Sequence, residues 1–223
     1  MAVIYEERPS DSPFVRTVWH TQAMSDGCEI VAADDSWDMI IERRDRKLRL
    51  MVWGAMTKAL PVEHVAEAEH LGIRFKPGTV LPNLSTPALL DQGVALPEAA
   101  SQSFWLGGAA WQFPSYENVD TFVERLVHEG LLVRDQVVDA ALQGQTDTVS
   151  LRSLQRHFVQ ATGLTYKAIQ QIERAQQAMT LLQQGLSILD TTYQLGYFDQ
   201  SHLTNALKRF VGQTPAQILR SKP

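Results

Sequence analysis

The stretch GYFDQSHLTNALKRFVGQTPAQI, Gly196 to Ile218, decides how the chain is read. At helical spacing its apolar residues Leu203, Leu207 and Phe210 form one stripe. Ser201, Thr204, Asn205 and Lys208 form another, at i, i+3, i+4 and i+7. A solvated helix face ordinarily alternates charge signs. This one offers neutral hydrogen-bonding groups beside a single positive charge, with Gln200 before them and Arg209 after. Asp199 stands where an N-cap belongs and Gly212 where the helix should stop.

Working outward, the same pattern occurs once more, 49 residues earlier. Leu154, Phe158, Gly163, Thr165 and Ile169 match Leu203, Leu207, Gly212, Thr214 and Ile218 offset for offset, and Ser150 matches Asp199 as a cap. Short apolar helices precede both copies, Gln136–Gly144 and Ser187–Gly196. Between the copies, YKAIQQIERAQQAMTLLQQG places Ile169, Ile172, Ala175, Met179 and Leu182 on one face of a helix long enough to act as a rigid spacer. Short helix, turn and capped second helix, present twice, is the helix-turn-helix pattern.

In such a unit the second helix packs its apolar stripe inward and turns its other face to a DNA major groove. In the first copy Leu151, Leu154 and Phe158 would pack, while Arg152, Gln155 and Arg156 project. Arginine suits bidentate contact with guanine, and Gln or Asn with adenine. Ser201 and Thr204 suit phosphate or a base edge, and Lys208 suits phosphate. The predicted DNA-binding set is Arg152, Gln155, Arg156, Gln200, Ser201, Thr204, Asn205, Lys208 and Arg209.

At these residues the chain resembles the AraC-type (AraC/XylS) transcriptional regulators. SILDTTYQLGYFDQSHLTNALKRFVGQTPAQI is similar to that family's signature region. LRSLQRHFVQATGLT and IERAQQA are similar to its first recognition helix and linker helix. The resemblance covers about Arg134 to Lys222. It implies two helix-turn-helix units reading adjacent major-groove segments of promoter DNA, with Arg152, Gln155 and Arg156 on the first reading helix and Ser201, Thr204 and Asn205 on the second. Three departures stand out. Asn205 is found where the family often has Arg, Thr192 where a small Ala is customary, and Tyr166 where Pro is usual after the first recognition helix, although Pro215 keeps it in the second.

The remainder of the chain has another character. From Arg134 onward nine Lys and Arg face six Asp and Glu, leaving eleven basic against nineteen acidic residues in the first 133. That asymmetry predicts separate domains with separate partners. FVRTVW (Phe14–Trp19), EIVAA (Glu29–Ala33), WDMIIE (Trp37–Glu42), LRLMVWG (Leu48–Gly54) and HLGIRFKPG (His70–Gly78) read as strands, and RRDRK (Arg43–Lys47) as a hairpin tip. Beyond Pro114, NVDTFVERLVHEG reads as a helix from an Asn118 cap to Gly130, and nothing after it reads as strand. The expected fold is α+β. A β-rich domain at 1–115, a cupin-like barrel by family resemblance, leads through a connecting helix at 116–132 to an all-α double helix-turn-helix domain at 133–223.

Catalytic signals are few. The histidines form no H-x-H pair, and no P-loop, G-x-S-x-G or G-x-G-x-x-G is present. The dense run EHVAEAEH (Glu63–His70) reads as a solvated acidic helix or loop rather than a metal site. Cys28 is the single cysteine, so no internal disulfide forms, and it reads as filler rather than nucleophile. Five tryptophans, Trp19, Trp37, Trp53, Trp105 and Trp111, read as core more than as a ligand pocket. No enzyme activity, cofactor or metal is expected. The N-terminus lacks signal-peptide character and no run suits a membrane helix, which predicts a cytoplasmic location without a membrane partner. The partners are double-stranded promoter DNA and, by resemblance, a small-molecule effector, RNA polymerase and a second copy of the chain. The rival reading is a small-molecule-binding or catalytic β-barrel whose helical half is a structural or protein-interaction module.

Overall fold

Short runs of β-branched and aromatic residues, bounded by Asp, Gly and Pro, set the strands of the first half. A computed structural model describes residues 3–100, 102–145 and 149–220; Asp147 and Lys222, counted above, lie outside them. In chain order the strands are β1 (Val3–Arg8), β2 (Val15–Ala23), β3 (Gly27–Val31), β4 (Asp38–Arg44), β5 (Lys47–Trp53) and β6 (Leu60–His64). They continue with β7 (Glu69–Phe75), β8 (Thr79–Val80), β9 (Gly93–Ala95), β10 (Glu98–Ala100), β11 (Ser103–Leu106) and β12 (Ala109–Gln112). A 3-10 turn, Thr86–Leu89, separates β8 from β9.

Six strands pair antiparallel in the order β1-β2-β7-β4-β5-β9. Strands β3 and β6 form a separate ribbon, and β10-β11-β12 a small meander. The hairpin tip falls where Arg43–Lys47 predicts it: Asp45 and Arg46 both take positive φ, 51° and 62°, the two-residue turn whose twist suits a hairpin. Trp19 lies across the sheet from Gly72, where a Cβ would sit 1.9 Å from its ring, so this crossing requires glycine.

Three expectations need correction. The main sheet has two open edges, β1 and β9, and the described strands close no barrel. Of the two forms expected for Glu63–His70, helix or loop, the loop holds only at 65–68: the run ends β6, turns, and begins β7, because Glu63 pairs with Cys28 and Glu69 with Gln22. A two-residue strand, β13 (Val133–Arg134), follows the connecting helix and pairs with β8.

The helices are α1 (Val119–His128), α2 (Gln136–Leu142), α3 (Leu151–Thr162), α4 (Tyr166–Gln183), α5 (Ile188–Gln194), α6 (Gln200–Phe210) and α7 (Pro215–Arg220). Helix α1 buries Val119, Phe122, Val123 and Leu126 in the first hydrophobic core, with Met39, Leu50, Ile73, Phe75, Phe104 and Trp111. Asn118 does not cap it through its side chain; its Oδ1 accepts from the Ser115 amide instead. Of the tryptophans, Trp37 and Trp111 are buried and Trp37 stacks on Phe75 at 4.1 Å, whereas Trp105 is exposed.

The second core is built mainly by α2–α7, with Ala33 and Ala55 of the first half joining it, and carries the repeat. Leu154 and Leu203, Phe158 and Leu207, and Ile169 and Ile218 are all buried. Ser150 and Asp199 accept from the Ser153 and His202 amides, capping α3 and α6. Gly163 and Gly212 take positive φ, 77° and 79°, and Thr165 and Thr214 then cap α4 and α7. Thr192 is accommodated where α5 is buried, its hydroxyl donating to the Ile188 carbonyl at 2.7 Å.

Asp135 ties the first unit together. Its Oδ1 accepts from the Val137 and Val138 amides, capping α2, and its Oδ2 accepts from His157 Nδ1 of α3 at 2.8 Å. Asp135→Ala removes a cap and a bond between helices. A loss of about 1–2 kcal/mol in stability is expected in denaturant titrations.

Candidate nucleic-acid interface

Helices α3 and α6 each divide into a buried stripe and an open one. In α3, Leu154, Phe158, Ala161 and Thr162 are buried, while Arg152, Gln155 and Arg156 are exposed. In α6, Leu203, Leu207 and Phe210 are buried, while Gln200, Ser201, Asn205, Lys208 and Arg209 are exposed. Thr204 is half-buried, and its hydroxyl donates back to the Gln200 carbonyl at 2.8 Å. It therefore offers outward a methyl group and an acceptor oxygen rather than a free donor. Leu151, expected to pack, is 83% exposed at the start of α3. Phe198, at the entrance to α6, is 91% exposed and carried no signal in the sequence.

None of the basic residues on these faces, Arg152, Arg156, Lys208 or Arg209, forms an ion pair among the described residues. Two arginines of the first half behave differently. Arg16 and Arg74 are locked among Asp34, Asp35 and Asp38. Free guanidinium groups on a helix face, without carboxylates to neutralise them, suit a polyanion.

The two halves meet behind these faces. The Ala33 amide donates to the Phe210 carbonyl at 2.6 Å, and the Ala59 amide to the Arg209 carbonyl at 2.8 Å. The last carbonyls of α6 are thus satisfied by backbone from the first half. Gln176 Nε2 of α4 donates to the Ala33 carbonyl at 2.8 Å, and a Cβ at Gly212 would strike Ile30. Beside this junction a groove of about 590 Å³ runs between Arg16 of β2 and the outer side of α4 and α5, with Glu173, Gln177 and Gln184 among its walls. Burial, and after it the negative charge of Asp35, raises the pKa of Glu173.

With this geometry in hand, residues 148–221 match the family of the helix-turn-helix domain, and residues 8–94 match a domain of unknown function (DUF6597). Residues 148–221 are therefore a helix-turn-helix domain, the class of fold that their duplicated capped helices define. It is of the AraC type. The HTH-type transcriptional regulator RipA of Corynebacterium diphtheriae is 36% identical over 74 residues, 33% of this chain and 22% of that protein. GlxA of Rhizobium meliloti, also an HTH-type transcriptional regulator, is 26% identical over 211 residues, 88% of this chain and 64% of its own. The chain thus spans less than two thirds of either curated relative. Among solved structures, ToxT from Vibrio cholerae aligns over 97% of this chain and 98% of its own, with 11% identity and a TM-score of 0.40. No described helix is long and apolar enough to cross a membrane.

Proposed function

We propose that the chain is a sequence-specific, DNA-binding transcriptional regulator that acts in the cytoplasm and reads adjacent major-groove segments with α3 and α6. Residues 1–115 would form the regulatory domain, 116–132 its connecting helix and 133–223 the DNA-binding domain. The observation that carries this reading is the pair of duplicated helices whose outward faces stay open and free of carboxylate partners. Arg152, Gln155 and Arg156 would read the first segment, and Gln200, Ser201, Thr204, Asn205, Lys208 and Arg209 the second or its flanking phosphates. Asparagine in place of the more usual arginine at position 205 favours adenine there.

Regulation would run through the junction. The amides of Ala33 and Ala59 hold the end of α6, so any movement of the 33–36 loop or of Ala59 reaches the reading helix directly. A small molecule in the groove between Arg16 and α4 would touch both halves at once.

The test is selection of bound duplexes from a random pool by the full chain. Recovery of a recurrent sequence, with affinity falling steeply as salt rises, is the expected result. Failure to enrich any duplex would reject the reading in favour of a small-molecule-binding or protein-interaction module. On the selected site, Arg156→Ala should weaken binding by about 1–3 kcal/mol and relax preference at one base pair. Gel-shift titration on single-base variants reads both effects.

A further inference from the structure

A pocket of about 180 Å³ opens between α4 and α6. Gln171 and Arg174 of α4, Tyr197, and His202, Asn205 and Arg209 of α6 line it, and no Asp or Glu does. Its two arginines come from different helices, and each guanidinium lies against an aromatic ring: Arg174 over Tyr197 at 4.4 Å, Arg209 over Phe210 at 4.9 Å. Neither forms an ion pair among the described residues. Assembling two such groups repels unless an anion joins them.

The other polar groups point to the same ligand. His202 Nδ1 accepts from the Phe198 amide, which leaves the ring proton on Nε2 as a donor. The Gln171 and Asn205 amides add further donors. Tyr197 is 5% exposed, and its buried hydroxyl lies beside the Arg174 guanidinium, which it helps to position. A site of donors with two cations and no carboxylate suits a phosphate. Its position decides the source of that phosphate, because Asn205 belongs both to this wall and to the outward face of α6.

We propose that this pocket seats one backbone phosphate at the edge of the groove read by α6, with Arg174 of the spacer helix as its principal contact. The spacer then binds DNA as well as setting the distance between the reading helices. This inference rests on the DNA-binding reading above.

The experiment compares the full chain with Arg174→Gln and, from the other helix, Arg209→Gln, on the selected duplex and on an unrelated one. Arg174→Gln should lower the slope of log affinity against log salt by about 0.9, the share of one phosphate, with an affinity loss of about eightfold at 0.1 M salt, and Arg209→Gln should lower both by less. The loss should be equal on both duplexes, and the selected sequence unchanged. Ethylation of backbone phosphates should interfere with the parent at a phosphate where the Arg174→Gln protein is indifferent. A folded Arg174→Gln protein with unchanged slope and affinity overturns the proposal. So does tight binding of inorganic phosphate by the parent, lost in Arg174→Gln while DNA affinity stays intact; that result would make the pocket a small-anion site. If the parent binds no duplex, the DNA-binding reading itself fails, which is a separate result.

Discussion

Phe158→Ala should destabilise the helical half by about 3–5 kcal/mol, enough to leave much of it unfolded at 37 °C. Phe158 is fully buried between α3 and α4, its ring 4.9 Å from that of Tyr166. Truncation removes transfer free energy and leaves a cavity among Leu154, Leu164 and Ile169 that capped helices on either side are poorly able to collapse. The chain supplies its own control, because all five tryptophans lie in the first half. Helical ellipticity should therefore be lost at much lower denaturant than in the parent, while tryptophan fluorescence, reporting the first core, should shift less. A change below about 1 kcal/mol in the ellipticity transition would mean that α3 does not hold its place through this ring. DNA affinity should fall with the helical signal.

Phe158 also shows why the second half was legible. A buried stripe at helical spacing, a capping side chain and a terminal glycine are local signals, and each occurs twice at one period, so every copy checks the other. The structure extends the repeat to features the sequence only hinted at: Thr165 and Thr214 cap the helices that follow. The first half offered no such check. Alternation marks a strand but not its partner, so neither the strand order nor the open sheet edges could be read. Strand β1 was missed because VIYEER is largely exposed at the edge of the sheet. At 63–70 the loop alternative holds for residues 65–68, while the strand ends on either side were not legible because Glu and Ala are poor strand formers, a preference overridden by pairing with β3 and β2.

The junction between the halves was illegible for another reason. Ala33 and Ala59 act through backbone amides, and a methyl side chain announces nothing. Arg174 did leave a trace. Its neighbours one turn away, Gln170, Gln171, Gln177 and Ala178, include no acid, so a cation on the spacer helix lacked the usual partner in its own helix. An unneutralised arginine on a helix otherwise read as a spacer was the signal that could have pointed to the pocket.

Arg74→Met should cost about 3–5 kcal/mol in the first half, and its consequences should reach α6. Arg74 forms two bonds to Asp38, at 3.1 and 3.0 Å, and Nη1 pairs with Asp34 at 2.9 Å. Burial opposes its charge, yet Asp38 and Asp34 outweigh that and hold the guanidinium above its ordinary range. Removing it strands the nearly buried Asp38 and leaves Asp34 to Arg16, 3.5 Å away, and the Ser36 amide. Burial already pushes the Asp38 carboxyl up, against the pull of Arg74. Without that pull its folded pKa rises further above the unfolded value, so the folded state favours the protonated acid. Stability held below the unfolded pKa is then lost as pH rises through the folded one. The deficit against the parent should accordingly be larger at pH 8 than at pH 5 in denaturant titrations, and an equal deficit at both would reject the account. Asp34 is also the residue whose Oδ1 accepts from the Ser36 amide and whose backbone bridges to Met56. It thereby holds the loop whose Ala33 amide caps α6 and whose Ala33 carbonyl receives Gln176 of α4. Loosening that loop should raise hydrogen exchange at the end of α6 while leaving α3 at its parent rate. Unchanged exchange in α6 would separate the ion cluster from the reading helix and remove the route proposed here for regulation.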